Sequence, residues 1–293
     1  MVGKKSIGEK TFDVLNIALL SAISFLFLYP IWFVAISSIS KPSAVAAGDV
    51  TAWPIGLTFN AYMLVFEDSR IWEAYGNTIF YVGVGTLVNL LFTTLGAYPL
   101  SRKDLPGNKW IMALIVFTMF FSGGLIPSYL NIRELGLYDT RLALILPVVI
   151  SAFNLIVMRS FFQTSIPESL VESAKIDGAN DFRILWRIII PLSKPVMAVM
   201  TLFYAVAHWN SWFSAMIYLQ DRSLYPLQLI LREILIHAQT NELTANIPQQ
   251  DVTQVSATIQ YATIIIATLP ILLLYPFLQK YFVQGVMIGA VKE

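Results

Sequence analysis

His208, Trp209, Asn210 and Trp212 bring an imidazole, two indoles and an amide together inside an apolar run, residues 195–220, that carries no Asp, Glu, Lys or Arg. Tyr204, Phe213 and Tyr218 belong to the same run. Side chains of these types bind rather than break bonds. Aromatic faces suit the C–H surfaces of sugars, and amide and hydroxyl groups suit their hydroxyls. Apolar walls with a few polar groups are the usual make-up of a small-molecule site. His208 and Trp212 are four residues apart, as are Trp209 and Phe213, so in a helix each pair shares a face. Two plainer readings stand beside a substrate path. One is an aromatic belt at the membrane interface, which suits Tyr218; the other is a neutral buried His208 bonded to a neighbouring helix.

Reactive chemistry is otherwise missing. The chain has no cysteine and two histidines, His208 and His237, which excludes thiol chemistry and a histidine-rich metal site. No G-x-x-x-x-G-K-[ST] is present, so the chain has no P-loop to cradle nucleotide phosphates. No nucleophile–base pair stands out, which counts against a membrane enzyme. Ion-coupled carriers commonly place an ionisable group inside the membrane. The apolar runs of this chain contain no carboxylate, lysine or arginine, which counts against a secondary transporter.

The elements that must position these residues are membrane spans. Of the 293 residues, 57% are hydrophobic and 13% charged, with mean hydropathy +0.68, whereas soluble domains carry about 25% charged residues. Six runs free of Asp, Glu, Lys and Arg are of membrane length or nearly so: 14–40, 74–101, 110–132, 142–158, 195–220 and 252–279. About 20 apolar residues cross a bilayer. The first run follows Lys4, Lys5 and Lys10 but is too long for a signal-peptide core, so it is expected to be retained. With a cytoplasmic N-terminus, thirteen basic residues fall inside and six outside. The positive-inside bias therefore puts both termini and the segment 165–191 in the cytoplasm. A net charge of +1 implies no nucleic-acid partner.

Segment 165–191 is the most water-compatible stretch. Ser165 and Glu168 have capping-box spacing, and Pro167 suits a first helical turn. Leu170, Val171, Ala174 and Ile176 are expected on one apolar face. Asp177-Gly178 ends that helix, and Asn180 or Asp181 caps a second one through Phe182, Leu185, Trp186 and Ile189. Elsewhere, Ser122-Gly123-Gly124-Leu125-Ile126-Pro127 should bend or end the third span, either as a gate or as a plain helix end. The glycines of the second span suit close helix packing. Phe59 to Tyr62 begins a short helix in the first outer segment, 41–73, and 221–251 forms the last outer loop.

Glu172-Ser173-Ala174, three residues, Gly178, nine residues, then Ile188-Ile189-Ile190-Pro191 resembles the EAA motif of ABC importer permeases. That motif reads E-A-A, three residues, G, nine residues, I-x-L-P; Ser173 replaces the second Ala and Ile190 the Leu. The resemblance implies an all-α membrane protein with six transmembrane helices, residues 1–293 forming one permease domain of the type I importer fold. It implies that segment 165–191 is a coupling helix docking on a separate ATPase, with Glu172, Ser173, Ala174, Asp177, Gly178, Ile188 and Pro191 as coupling residues. The plainer reading is an amphipathic helix on the membrane surface. The expected partners are a second permease subunit, an ABC ATPase dimer that uses ATP and Mg, and an external solute-binding protein. No cofactor or metal is expected on this chain, and its expected location is the bacterial inner membrane. The chain is similar to the second permease subunit of maltose-type carbohydrate importers, including the short tail 285–293, which in that family contacts the ATPase. Tyr129, Leu135-Gly136-Leu137, Asp139-Thr140 and Leu146-Pro147 resemble the permeases assigned to lipo-oligosaccharide and alginate-oligosaccharide uptake. The expected function is passage of a carbohydrate by ATP-driven alternating access, with His208, Trp209, Asn210 and Trp212 on the path. A non-sugar solute is the alternative within the family.

Overall fold

The computed structural model describes residues 6–240 and 257–273, and among these every regular element is helical. The polar stretch 241–250, the ends of the sixth run and the tail 285–293 lie outside the described residues. The chain divides into two compact units: residues 6–69 with 231–240 and 257–269, and residues 70–230 with 270–273.

In the first unit, α1 (Ile7–Ser38) is a single long helix. It begins at a capping box in which Glu9 N donates to Ser6 Oγ and Ser6 N donates to Glu9 Oε2. Its C-terminal end holds the following segment. Lys41 N donates to Ile55 O at 2.9 Å, Thr58 N to Ile39 O at 2.9 Å, and Trp32 Nε1 to Ala52 O at 2.9 Å. The short helices α2 (Pro42–Ala47) and α3 (Asn60–Glu67) are part of this fold-back, and the hydroxyls of Ser38 and Tyr62 meet at 2.8 Å.

The second unit is built on α4 (Ser69–Ser101). Its 33 residues run about 50 Å at 1.5 Å per residue. The next spans are broken. α5 (Asn108–Phe120) meets α6 (Leu125–Glu134) at 113°, with Gly124 at φ +88° in the break. Two 3₁₀ turns, Arg141–Leu144 and Leu146–Val148, precede α7 (Ala152–Ser165), with a 48° bend between them. The water-compatible segment forms α8 (Glu168–Ile176) and α9 (Asp181–Leu192), the latter widened by a π turn at Leu185–Ile189. α10 (Lys194–Trp209) leaves α9 at 83°, and α11 (Phe213–Tyr218) follows a break. α12 (Leu227–Thr240) and α13 (Ala257–Leu273), most of whose residues belong to the first unit, complete the described helices. The first two apolar runs are thus single helices and the next three are interrupted. Polar backbone exposed by a break in a membrane span has to be buried in protein or line a wet cavity.

Two apolar clusters mark the ends of this unit. One joins Ala97 and Tyr98 of α4 to Met158 and Phe162 of α7, Val171 and Ala174 of α8, Ile184, Leu185 and Ile189 of α9, and Met200 and Tyr204 of α10. The other joins Tyr81 of α4 to Ile132, Ala143, Leu144, Ala215, Tyr218 and Leu229. At this second end, backbone polar groups are taken up by side chains. Asn77 Nδ2 donates to Ser223 O at 2.6 Å and Tyr225 O at 3.2 Å, and Tyr81 OH donates to Leu224 O. Asp139, at φ +58°, accepts from Gln220 N at 2.7 Å and Asp221 N at 2.9 Å.

Candidate coupling end and substrate cavity

The candidate coupling end is organised by the termination of α8. Gly178 adopts φ +77°, a left-handed conformation that glycine reaches without a Cβ penalty. Gly178 N then donates to Lys175 O at 3.0 Å and Ala179 N to Ala174 O at 2.9 Å, the paired bonds of a Schellman end. Asn180 Oδ1 accepts from Arg183 N at 2.8 Å and starts α9. The motif residues divide by face. Ala174 is buried beside Val171, and Ile188 packs against the same cluster. Glu172, Ser173, Asp177, Gly178 and Pro191 are exposed.

Two local expectations fail here. The capping box does not form: Ser165 is the last residue of α7, Pro167 caps α8 without a side-chain bond, and Glu168 turns instead to Lys103 Nζ, 2.7 Å away. The single apolar face divides as well. Val171 and Ala174 turn inward, while Ile176 is 86% exposed and Leu170 is exposed too. Phe182 and Trp186 add to this exposed apolar surface.

Three of the four candidate path residues, His208, Asn210 and Trp212, lie around a cavity of about 530 Å³. Its wall is made by the breaks: Pro147, Val148 and Ser151 before α7, and Asn210, Ser211 and Trp212 between α10 and α11. Ser128, Asn154, Tyr204, His208, Phe213, Ser214 and Tyr218 also contribute, and among the described residues no Asp, Glu, Lys or Arg lines it. Tyr204 belongs to the coupling-end cluster and Tyr218 to the opposite one, so the cavity lies between the two.

His208 is held by α4. Asn89 Nδ2 donates to Val148 O at 2.6 Å and Val149 O at 2.9 Å, which leaves Asn89 Oδ1 as an acceptor for His208 Nε2 at 2.7 Å. His208 Nε2 therefore carries the hydrogen of that bond. Gly85, one turn before Asn89, has no side chain because the His208 ring occupies that space. One turn further, Thr93 Oγ1 meets Tyr204 OH at 2.7 Å, and Tyr204 OH also accepts from Ser151 N.

The structure brings His208, Asn210 and Trp212 to the cavity but not Trp209. Trp209 is buried, with its ring 6.4 Å from that of Tyr75 on α4. The expected helical pairing of His208 with Trp212 and of Trp209 with Phe213 is absent because α10 ends at Trp209. Trp212 instead makes an edge contact with Phe213.

Residues 2–288 match the family described as binding-protein-dependent transport system inner membrane component. The chain belongs to that family. This permease is 42% identical to Protein LplC of Bacillus subtilis strain 168 over 97% of its length and 95% of the relative's. It is 40% identical to the polygalacturonan/rhamnogalacturonan transport system permease protein YtcP of the same strain, over 97% and 99%. A crystal structure of a bacterial ABC transporter involved in importing the acidic polysaccharide alginate contains a chain that aligns with TM-score 0.85 and 36% identity, covering 96% of this permease and 100% of that chain. The fold is therefore that of an ABC importer permease, a transport subunit without an ATPase site of its own. Several residues that shape its cavity and candidate coupling end were not expected: Asn89, Asn154, Lys103 and Asp104, and Tyr204, placed in the candidate run, was not expected to bond Thr93 and Ser151. A signal for Asn89 and Tyr204 was present. Gly85, Asn89 and Thr93 recur every fourth residue in an apolar span, and Tyr204 and His208 repeat the same spacing. That pattern is the mark of two helices bonded along polar stripes.

Proposed function

We propose that this permease is one half of the translocation path of an ATP-driven importer for oligosaccharides, with uronate-rich chains as the favoured class. The observation that carries this reading is the near full-length likeness to the alginate importer chain. The 40% identity to the polygalacturonan/rhamnogalacturonan permease supports the same chemistry. The cavity suits a sugar. It offers Ser128, Asn154, Asn210 and Ser214 for hydroxyls and Trp212 and Phe213 for ring faces, within the usual range of about 300–1,000 Å³ for ligand sites. Its described lining holds no Lys or Arg, so the guanidinium and ammonium groups that meet uronate carboxylates come from the partner permease or the binding protein.

The partner ATPase uses ATP and Mg. It docks on the exposed face of α8 and α9, where Leu170, Ile176, Phe182 and Trp186 stand beside Glu172 and Asp177, an apolar helix face suited to a groove. Closure of the ATPase dimer moves α8, the cavity opens outward, the external binding protein delivers the sugar, and hydrolysis resets the inward-facing state. The coupling end and both termini are cytoplasmic. The test is ATP hydrolysis by the reconstituted complex, with binding protein loaded with oligogalacturonide, alginate oligomer or raffinose. Stimulation by a uronate oligomer is expected. Stimulation by raffinose alone would discard the uronate class, and indifference to every sugar would discard carbohydrate.

A further inference from the structure

We propose that the turn 102–106 between α4 and α5 is a strap that makes α8 and α4 move as one body, with Lys103 and Asp104 as positioning residues; this rests on reading α8 as the ATPase contact. The two residues grip opposite ends of the helix. Lys103 Nζ donates to Glu168 Oε2 at 2.7 Å in the first turn of α8. Asp104 Oδ2 lies 3.6 Å from Lys175 Nζ in its last turn. Lys175 also approaches Asp181 Oδ1 of α9 at 4.0 Å, and Tyr98 OH of α4 donates to that same oxygen at 3.4 Å. An acid at the start of α8 and a base at its end also agree with the helix dipole.

The strap is anchored on its other side. The carbonyls left over at the end of α4 accept from neighbours: Leu100 O from Arg159 Nε at 2.7 Å, Ser101 O from Gln163 Nε2 at 3.2 Å, and Arg102 O from Asn108 Nδ2 at 2.9 Å. Between the strap and the helices it holds, packing is incomplete. A cavity of about 420 Å³ separates Leu105 and Pro106 from Phe182 and Leu185. Another of about 310 Å³ lies between Arg102 and Lys103 and the Ile166–Val171 side. Charge pairs bridge these gaps where apolar contact does not. Exposed pairs of this kind are individually weak and screened by salt, so the strap grips α8 at both ends rather than at one. Along α4, about 20 Å from Arg102 at 1.5 Å per residue, Asn89 holds His208 at the cavity wall. A displacement of α8 thus has a direct route to the cavity through the strap and α4.

The chain has no cysteine, so Ser211→Cys places a reporter thiol in the cavity wall. The readout is labelling by a membrane-impermeant maleimide in the complex assembled with partner permease, ATPase and binding protein, before and after trapping with ATP and vanadate. Trapping is expected to raise labelling in the parent. With Lys103→Glu added, the ATPase stays bound and the rise shrinks about threefold. The charge swap Lys103→Glu/Glu168→Lys restores it. An undiminished rise in Lys103→Glu with the ATPase retained overturns the strap alone. A loss that the swap fails to rescue also overturns it, because damage to local folding would behave that way. A parent complex that does not retain the ATPase overturns the coupling reading of α8 itself.

Discussion

Gly178 and His208 show two ways in which one side chain controls its surroundings. At Gly178 nothing lies within 4 Å of the position a Cβ would take, yet the backbone is left-handed at φ +77°. The cost of Gly178→Val is therefore conformational, about 1–2 kcal/mol or more for a branched residue, and it falls on the end of α8. Less ATPase should co-purify with that variant, while Gly178→Asn, which tolerates this backbone, should keep more; equal retention by both would remove the hinge from the coupling account. Gly85→Ala acts by collision with the His208 ring and should lower stability by about 1–3 kcal/mol, read as a fall in the melting temperature of the purified complex. The glycine at 178 was legible from its place in the motif. The need for glycine at 85 was not, because it depends on a residue on another helix. His208 satisfies the plainer expectation of a buried, neighbour-bonded imidazole while also lining the cavity, so those two readings do not compete.

At the scale of elements, the break between α10 and α11 decides which aromatic residues line the cavity. Trp212 lines the cavity and Trp209 packs on Tyr75. Trp212→Ala should reduce sugar transport more than unstimulated ATP hydrolysis. Trp209→Ala should instead destabilise the protein, by about 3–5 kcal/mol as for other buried aromatics. The reverse pattern in transport and melting assays would exchange their roles. Sequence spacing could not reveal this, since a periodicity argument assumes an unbroken helix and nothing in Asn210-Ser211-Trp212 announces a break as Gly123-Gly124 does. The coupling helix taught the same lesson from the other side. Its C-terminal end was readable from Gly178 and Asn180, but its N-terminal box was not realised because α7 retains Ser165 and Lys103 draws Glu168 away. The Lys103–Glu168 pair has a defined pH range. The hydrogen bond from Lys103 holds the Glu168 carboxyl below its ordinary 4.5, and the same bond raises Lys103 above its ordinary 10.5. Its contribution is complete between those values. It is lost only as pH falls through the depressed Glu168 pKa or rises through the raised Lys103 pKa. The trapping response should be flat from about pH 6 to about pH 9 and decline with salt; a titration near neutral pH would show that another group controls it.

For the whole molecule, hydropathy located the apolar runs because lipid demands long uncharged segments, and the structure places helices in each of them among the described residues. What it could not convey is how three of those runs are interrupted and how two of the breaks, before α7 and after α10, meet at one cavity, which depends on contacts between helices distant in sequence. The cavity and the likeness to ABC importer permeases together describe a subunit that passes a solute and has no ATPase site of its own. The most direct test is uptake of labelled trigalacturonate by proteoliposomes containing the full complex and external binding protein. Uptake should require ATP and Mg on the side of α8 and be unaffected by proton or sodium gradients. Uptake that persists without ATP when an ion gradient is applied would contradict the account, because it would demand a coupling-ion site in a permease whose described cavity lining carries no Asp, Glu, Lys or Arg.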